Sequence, residues 1–297
     1  MDTRQLQAFL SAVDVGSFTR AATRLNVTQP TITNRIKALE QSLGSILLER
    51  LPGGVRPTSN GLAVIPHARE IVRLTEEVQR TIAAPGETRG RVSVGSPESL
   101  TSHRLLPLIE YLYIRYPLID FSVHLSSPQD AVAQLRSGQL DCVFLIGAQQ
   151  SHEDLEFNVL RPEPLALVAA PGRTEGDGDR GTPTADSFST MLVCSDVDAA
   201  FCDGIPLLSD VATGTPKRRT LKLNTIDAVK RIAANGIGVA LLPEIAVAQE
   251  IAQGVLRKLN WQPAVQTFTQ TVWRRSRIPR PALDTVLAAA EQVVREE

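Results

Sequence analysis

The chain has 297 residues, of which 43% are hydrophobic and 21% charged, a composition typical of a folded soluble protein that excludes disorder as its main character. This length exceeds that of one usual hydrophobic core, so we expect two independently packed units, or three if one of them is bilobed. The formal net charge of −1 excludes a uniformly basic coat for non-specific nucleic-acid binding, although basic side chains outnumber acidic ones up to Asn60.

Cysteine usage and the apolar runs bear on the compartment. Cys142, Cys194 and Cys202 form neither a disulfide framework nor a metal-ligand spacing, which predicts a reducing cytoplasm and no zinc site. The first residues lack the apolar stretch of a signal peptide, and no apolar run approaches the roughly 18 to 20 residues that span a bilayer. We therefore expect a cytoplasmic protein without a membrane partner.

Three short amphipathic helices are predicted at the N-terminus from apolar positions spaced three and four residues apart. The second helix begins after a Ser17 cap, and the third begins after a Thr28 cap with Pro30 in its first turn. The inward stripe predicted for the third helix is Ile32, Ile36, Leu39 and Leu43. The tight connection between the second and third helices predicts a helix-turn-helix unit.

A hairpin and a long helix are predicted next. The run Pro52-Gly53-Gly54 between flanking arginines predicts the tip of a β-hairpin, or wing. A helix from Ser59 to Ala83 is a candidate dimerisation helix, because a set of its residues lies near a heptad seam: Ile65, Ala68, Val72, Thr75 and Ile82. Pro85 and Gly86 break this helix, so we place an interdomain linker at 84–90.

Beyond Arg91, short apolar strands alternate with helices, which predicts a parallel α/β sheet. The predicted strands are 91–95, 119–125, 142–146, 191–194 and 239–242. The stretch 172–184 is rich in Gly, Asp and Thr and predicts an exposed, disordered insertion.

The polar face of the third helix carries the groups needed to read DNA. Gln29 and Asn34 can each form two hydrogen bonds with an adenine, and Thr31 can pack against a thymine methyl group in the major groove. Thr28 and Thr33 are better placed for phosphates. A lone helix of this kind is more often a solvated surface helix, but the capped preceding helix, the tight turn and the basic wing favour DNA binding.

A series of matching residues then identifies a family: Ala21-Ala22, Gln29-Pro30, Leu39-Glu40, Leu43-Gly44, Arg50, Thr58 and Gly61. The stretch from Gly16 to Gly61 that contains them resembles the LysR-type transcriptional regulators, and the resemblance extends over the whole chain. Thr28, Thr33 and Leu48 replace the usual Ser, Ser and Phe with similar chemistry or size. Asn34 stands where the family often has Arg, which changes the expected base preference.

The resemblance implies an α/β protein with an all-α-rich winged helix-turn-helix domain at 1–58, a linker helix at 59–84, a hinge at 85–90 and an effector domain at 91–297. That last domain would resemble the type 2 periplasmic binding proteins, with one lobe at about 91–161 and 269–297 and another at about 168–265. The crossovers would fall near 162–167 and 266–271.

The resemblance also assigns DNA contacts. Base contacts are expected from Gln29, Pro30, Thr31 and Asn34, and phosphate contacts from Thr28, Thr33, Arg50 and Arg56. For Arg50 a structural ion pair is an equally weighted alternative. Phosphate contacts make the affinity fall with salt, whereas base contacts set the sequence preference.

A small-molecule effector is expected in the crevice between the lobes, at the carboxyl ends of strands and helix N-termini. The candidate contacts are Ser96, Glu98, Ser99, Leu100, Thr101, Ser126, Gly147, Cys194, Ser195, Asn224 and Thr225. The hydroxyl groups favour an anion such as an organic acid, with ordinary helix capping by Ser99 or Thr101 as the alternative. Glu98 opposes a bound anion unless it is paired or protonated, and would instead suit an amine or a metal.

The functional expectation is a cytoplasmic regulator that binds promoter DNA as a homodimer or homotetramer, has no cofactor, metal or enzymatic activity, and has RNA polymerase as a candidate partner. A transport solute-binding protein and an enzyme are the competing classes. The helix-turn-helix opposes the first, and the lack of a nucleophile elbow, Walker loop or His-rich cluster opposes the second. Peroxide sensors of the family use two cysteines, but the spacing of Cys194 and Cys202 differs by a residue, which favours ordinary buried or ligand-lining thiols.

Overall fold

The computed structural model describes residues 1–83, 88–149, 152–171, 192–195, 220–223, 225–260, 266–276 and 278–296. The predicted loop at 172–184, most of the predicted linker, and Cys202 lie outside these ranges. The chain divides into two compact units, Met1–Gly90 with Arg136–Gln139, and Arg91–Leu135 with Leu140–Glu297. Within the described ranges, no helix has the length and apolar character needed to cross a membrane.

The first unit contains four helices and a hairpin: α1 (Thr3–Val15), α2 (Phe18–Arg24), α3 (Gln29–Leu43), β1 (Leu48–Leu51), β2 (Gly54–Pro57) and α4 (Ser59–Ala83). Asp2 begins α1 with a capping box, and Ser17 accepts a hydrogen bond from the Arg20 backbone N–H at 3.4 Å. Asn26 has a φ of 50°, a left-handed conformation that asparagine tolerates well, and this makes the α2–α3 connection tight.

The core of the first unit is formed by the inward faces of α1 and α3 together with residues of α2, β1 and α4. Ile32, Ile36 and Leu39 are buried as predicted, but Leu43 is 41% exposed because α3 ends there. The heptad seam predicted for α4 is wrong in its first half. Ile65 and Ala68 are buried in the chain's own core, so neither is available to a second copy of the chain.

The second unit contains two five-stranded sheets. The first, in the order β4-β3-β5-β12-β6, comprises β3 (Gly90–Ser96), β4 (Ile119–Leu125), β5 (Cys142–Gly147), β6 (Leu155–Pro162) and β12 (Phe268–Arg274). With helices α5 (Glu98–His103), α6 (Leu106–Arg115), α7 (Pro128–Arg136) and α10 (Pro281–Glu296) it forms what we call the first lobe.

The second sheet has the order β11-β7-β10-β8-β9 and comprises β7 (Leu165–Ala169), β8 (Leu192–Ser195), β9 (Thr220–Leu223), β10 (Val239–Pro243) and β11 (Arg257–Lys258). With α8 (Ile226–Ala234) and α9 (Glu244–Ala252) it forms the second lobe. The chain leaves the first sheet after Pro162, enters the second at Leu165, and returns to the first at Phe268.

Both sheets are mixed rather than wholly parallel. The strands β3 and β5 pair in parallel, as do β8 and its neighbours β9 and β10. In contrast, β12 pairs antiparallel with β5 and β6, and β7 pairs antiparallel with β10. The strands that follow each crossover run against the rest of their sheet, which the alternation of strands and helices in the sequence does not reveal.

Candidate functional site

The N-terminal turn of α3 presents a polar surface on the first unit. Gln29, Pro30 and Asn34 are exposed there, and Thr31 and Thr33 are half-buried. The hydroxyl groups of Thr28 and Thr31 share a hydrogen bond of 2.8 Å, and the Gln29 Nε2 donates to Thr33 Oγ1 at 3.0 Å. Thr28 is the N-cap residue by its backbone but makes no side-chain cap, so its hydroxyl is held on the same face as Thr31.

This surface has the groups that hydrogen-bond base edges without carrying a charge. Two side-chain pairs of this surface, Thr28 with Thr31 and Gln29 with Thr33, already exist in the free protein. A base must take the place of Thr33 if it is to receive the Gln29 amide N–H. The exchange replaces one hydrogen bond by others of similar strength, which favours discrimination between bases over raw affinity.

The two wing arginines differ in their surroundings. The Arg50 guanidinium lies over the ring of Phe18, 5.1 Å from its centroid, in a cation–π contact. Arg50 forms no ion pair with the described part of the chain, so the ion-pair alternative for it is not supported. The Arg56 Nε lies 2.6 Å from Glu49 Oε1, and this hydrogen bond raises the pKa of the Arg56 guanidinium. A phosphate would have to compete with Glu49 for Arg56.

Glu40 fixes the wing to α3, a role that the sequence reasoning missed. Its Oε1 accepts the backbone N–H groups of Leu47 at 2.8 Å and Leu48 at 3.2 Å. The Leu39-Glu40 pair was matched to the family, and that match is the signal that could have identified Glu40. A carboxylate that receives two backbone donors at the start of the wing sets the distance between the recognition helix and the hairpin.

Thr58 and Gly61, which match the family motif, make structural contacts at the start of α4. Thr58 Oγ1 donates to the Ile46 carbonyl at 2.8 Å and accepts from the Gly61 backbone N–H at 3.0 Å. A Cβ at Gly61 would lie 2.1 Å from the Leu47 carbonyl oxygen, so only glycine allows this close packing. These contacts hold α4 against the turn before the wing.

The candidate effector cleft lies in the second unit, at the carboxyl ends of the parallel strands β3 and β5. Ser96 ends β3, and its carbonyl accepts the backbone N–H of Ser126 at 3.1 Å. Ser96, Ser99 and Ser126 are buried, and Ser126 Oγ donates to Gln134 Oε1 at 2.8 Å. Gly147, half-buried, ends the parallel neighbour β5, and the register of the two strands places it about three residues beyond Ser96 along the sheet.

The side chains of two residues after β3 that were expected to contact the effector make other contacts within the protein. Leu100 is fully buried in the core, so its side chain does not line the cleft; the reason is that α5 packs this face against the sheet. Thr101 Oγ1 donates to the Pro97 carbonyl at 3.0 Å. The capping alternative for Ser99 or Thr101 is also wrong, because Pro97 is the N-cap residue of α5 and makes no side-chain cap.

Glu98 reaches from the first lobe to the second. Its Oε2 accepts the backbone N–H of Ile226 at 3.0 Å, which is the first residue of α8. Thr225 is the N-cap of α8 and accepts the Ala228 N–H at 3.3 Å. Two of the N–H groups that have no partner within the helix therefore donate to side chains, one from each lobe.

The structure describes only part of the remaining second-lobe residues that were expected to contact the effector. Cys194 and Ser195 belong to β8, which pairs in parallel with β9 and β10, and their side chains lie outside the description. Asn224 also lies outside the described residues. Cys142, in contrast, is a free cysteine, and its complete burial raises the pKa of its thiol.

A buried ion pair joins the cleft to the first crossover. Glu163, between β6 and β7, is fully buried and receives two hydrogen bonds from the Arg104 guanidinium, at 3.0 and 3.1 Å. Thr269 Oγ1 donates to the same carboxylate at 2.8 Å, and the Glu163 backbone N–H donates to the Thr267 carbonyl at 2.9 Å. Glu163 thus connects both chain passages between the lobes with the end of α5. Sequence reasoning missed it, although a glutamate between two prolines was a visible signal.

Ionisable groups also meet where α5 packs against α9. Burial, together with the charges of Lys230 and Arg104, lowers the pKa of His103, although Glu250 and Glu163 oppose this. Burial raises the pKa of Glu250, but the hydrogen bond and charge of Lys230, whose Nζ lies 2.6 Å from Glu250 Oε1, outweigh it and lower the pKa overall. His103 therefore favours its neutral form beside an already neutralised ion pair.

Comparison with known proteins agrees with this two-part organisation. Residues 3–62 match the family model described as bacterial regulatory helix-turn-helix protein, lysR family. Residues 85–295 match the model described as LysR substrate binding domain.

Relatives resemble the chain over nearly its whole length. The uncharacterised HTH-type transcriptional regulator YwqM of Bacillus subtilis (strain 168) is 29% identical over 279 residues, 93% of this chain and 94% of YwqM. The crystal structure of ArgP from Mycobacterium tuberculosis is 20% identical and has a TM-score of 0.73, covering 99% of this chain and 97% of ArgP. Full-length LysG from Corynebacterium glutamicum with bound effector Arg, also 20% identical, has a TM-score of 0.64 over 98% of this chain and 99% of LysG. These two structures share the fold.

Proposed function

The chain belongs to the LysR family of DNA-binding transcriptional regulators controlled by small-molecule effectors, and we propose that it reads promoter DNA with the N-terminal turn of α3. Gln29, Pro30, Thr31 and Asn34 meet base edges in this proposal. Thr28, Thr33, Arg50 and Arg56 meet phosphates.

The observation that carries the proposal is the exposed amide and hydroxyl surface on α3 beside a wing held by Glu40. Gln29 and Asn34 are both exposed in the first half of α3, so both side chains are accessible to DNA. Arg50 is exposed and is held by Phe18, which reduces the side-chain entropy that a phosphate contact would cost.

Binding to DNA from upstream of the protein's own gene tests this function. We expect a specific complex whose affinity falls steeply between about 50 and 200 mM salt, because phosphate contacts release counterions. The measurement is fluorescence anisotropy with this fragment and with a shuffled fragment of equal composition. Equal affinity for both fragments at every salt concentration would contradict sequence-specific reading.

We further propose that α4 forms the dimer, through a stripe other than the one predicted from sequence. Ile71, Leu74 and Val78 recur at three and four residues, and Ile71 and Val78 are 37% and 59% exposed. This spacing is that of a coiled-coil seam, and it lies to one side of the face that Ile65 and Ala68 bury. A further association of dimers into a tetramer completes the proposed assembly.

Replacing both Ile71 and Val78 by Glu is expected to halve the particle mass measured by light scattering. Each change sets a charge in the seam against its copy, which costs several kcal/mol and weakens the dimer by more than about 100-fold. Leu62→Glu is the matched control, because Leu62 is 58% exposed on α4 but lies off the stripe. A double variant that keeps the parent's mass, or a control that also dissociates, would refute the stripe.

The effector completes the proposal. The LysG structure carries a bound effector Arg, which supports a small-molecule effector for this chain, and we propose that it binds between the two lobes. We propose that the chain is a cytoplasmic regulator rather than an enzyme and that RNA polymerase is its partner at the promoter.

A further inference from the structure

One carboxylate in the effector cleft crosses from lobe to lobe. Glu98 begins α5 in the first lobe, and its Oε2 accepts the Ile226 N–H that opens α8 in the second lobe, at 3.0 Å. A helix N-terminus carries a partial positive charge and unpaired N–H groups, and it attracts anions. In this protein the anion at the α8 N-terminus is part of the chain.

Two cations on the elements that meet here are already paired. Arg104 is paired in two hydrogen bonds with Glu163, and Lys230 is paired with Glu250 at 2.6 Å. The other carboxylate in the first turn of α8, Asp227, lies 2.9 Å from the Arg231 Nε. Within the described ranges, no lysine or arginine forms an ion pair with Glu98. Glu98 is therefore a carboxylate without an ion-pair partner among the described residues.

A polar group at the carboxyl end of β5 lacks a donor for its oxygen. Gln270 of β12 is 2% exposed, and its Nε2 donates to the Ala148 carbonyl at 3.1 Å, just beyond the carboxyl end of β5. Its Oε1 is buried and has no hydrogen-bond partner in the described part of the protein. A buried acceptor without a donor is unfavourable, and a donor group supplied by a ligand removes that cost.

From these contacts we infer that Glu98 is the resident anion of the effector cleft and that the cleft selects effectors that present an ammonium or guanidinium group to Glu98. This inference rests on the proposed function and specifies the chemical class of its effector. It replaces the organic acid expected from the hydroxyl groups alone.

The charge of Glu98 favours a cationic effector over a carboxylate effector. A carboxylate effector would have to displace Glu98 from the Ile226 N–H or lie beside it, and either arrangement places two carboxylates together in a partly buried site. A cationic effector meets Glu98 directly, and the carboxylate has further lone pairs available while it keeps its bond to α8. Glu98 therefore serves both as the contact between the lobes and as the counter-ion of the ligand.

Chemical rescue tests the first half of the inference without knowledge of the effector. In the full-length Glu98→Ala variant, we expect the Ile226 amide to exchange its hydrogen at least tenfold faster than in the parent. Sodium acetate at about 50 mM should restore protection in this variant, because acetate fills the vacated position, and should change nothing in the parent. Unchanged exchange in the variant, or acetate protection in the parent, would overturn the inference.

A matched pair of four-carbon probes tests the second half. At equal ionic strength, 1,4-diaminobutane should raise the thermal midpoint of the parent more than succinate does, and Glu98→Gln should abolish this difference. Glu110→Gln is the control, because Glu110 is exposed on α6, away from the cleft, and the variant should behave as the parent. A parent that responds to succinate and not to the diamine, or to neither, would refute cation selection.

The same variants separate this inference from the proposed function. Glu98→Ala and Glu98→Gln should still shift promoter DNA in the absence of any effector, since Glu98 is not part of the DNA-reading surface. Loss of DNA binding in the parent itself would refute the proposed function, whereas the acetate and diamine results would stand or fall by themselves.

Discussion

Gln29→Ala is expected to weaken binding to the specific DNA fragment by about 1–3 kcal/mol, roughly 5- to 150-fold, because an amide paired bidentately with a base contributes this much discrimination. The loss should appear only on the specific fragment. Binding to the shuffled fragment depends on phosphates and should be unchanged, as should the slope of affinity against salt. Titrations by anisotropy at three salt concentrations measure all of these quantities.

Asn34→Ala should give a loss of the same size, together with a relaxed preference at a different base pair. Gln41→Ala is the matched control, since Gln41 is exposed on the same helix near its C-terminus, about three turns from Gln29 and about two from Asn34. If the Gln29 variant weakened both fragments equally, the side chain would contact the backbone rather than a base. If Gln41→Ala weakened binding as much, the contact would not be confined to the first turn.

Glu163→Gln is expected to destabilise the effector domain by about 3–5 kcal/mol, because it leaves the Arg104 guanidinium buried opposite a neutral group. Arg104 and Glu163 have side-chain exposures of 11% and 0%, so water cannot replace the lost charge. Both tryptophans, Trp261 and Trp273, follow residue 91, and their fluorescence in a denaturant titration therefore reports this domain.

An exposed ion pair supplies the matched control for this variant. Arg275 and Glu156 lie 2.6 Å apart with exposures of 63% and 41%, so Glu156→Gln should cost less than about 1 kcal/mol. Replacing Arg104 and Glu163 together by Leu should cost less than Glu163→Leu alone, because no uncompensated buried charge remains. Equal losses for the buried and exposed variants would show that burial does not set the strength of the pair.

The sequence-based predictions agreed with the structure where they depended on residues close together in the chain, and failed where they depended on residues far apart in it. The predicted start of α3 agrees with the structure, since capping and helical spacing act within a few residues. The prediction of a heptad seam on α4 failed because it depended on packing against a helix distant in the chain. Ile65 and Ala68 satisfy a heptad spacing equally well whether they face a second chain or the chain's own core, and the packing of α1 decides between them.

The effector cleft shows the same division. Helix-forming and strand-forming segments around Ser96, Ser126 and Gly147 were predictable, and β3 and β5 pair in parallel so that both end at the same edge of the sheet. The hydroxyl-rich stretch after β3 suggested an anion, yet Leu100 is buried in the core and Thr101 is bonded to Pro97. Side-chain direction on a short helix depends on what packs against it, which residue types alone do not specify.

The sequence by itself determined the winged helix-turn-helix and the family, because these depend on local periodicity and a dense series of motif residues. Only the tertiary structure revealed the partners of two carboxylates in the second unit. Glu98 and Ile226 are 128 residues apart in the chain, and Arg104 and Glu163 are 59 apart. Whether a carboxylate is free to repel a ligand or already holds a helix terminus depends on which distant backbone the fold brings to it.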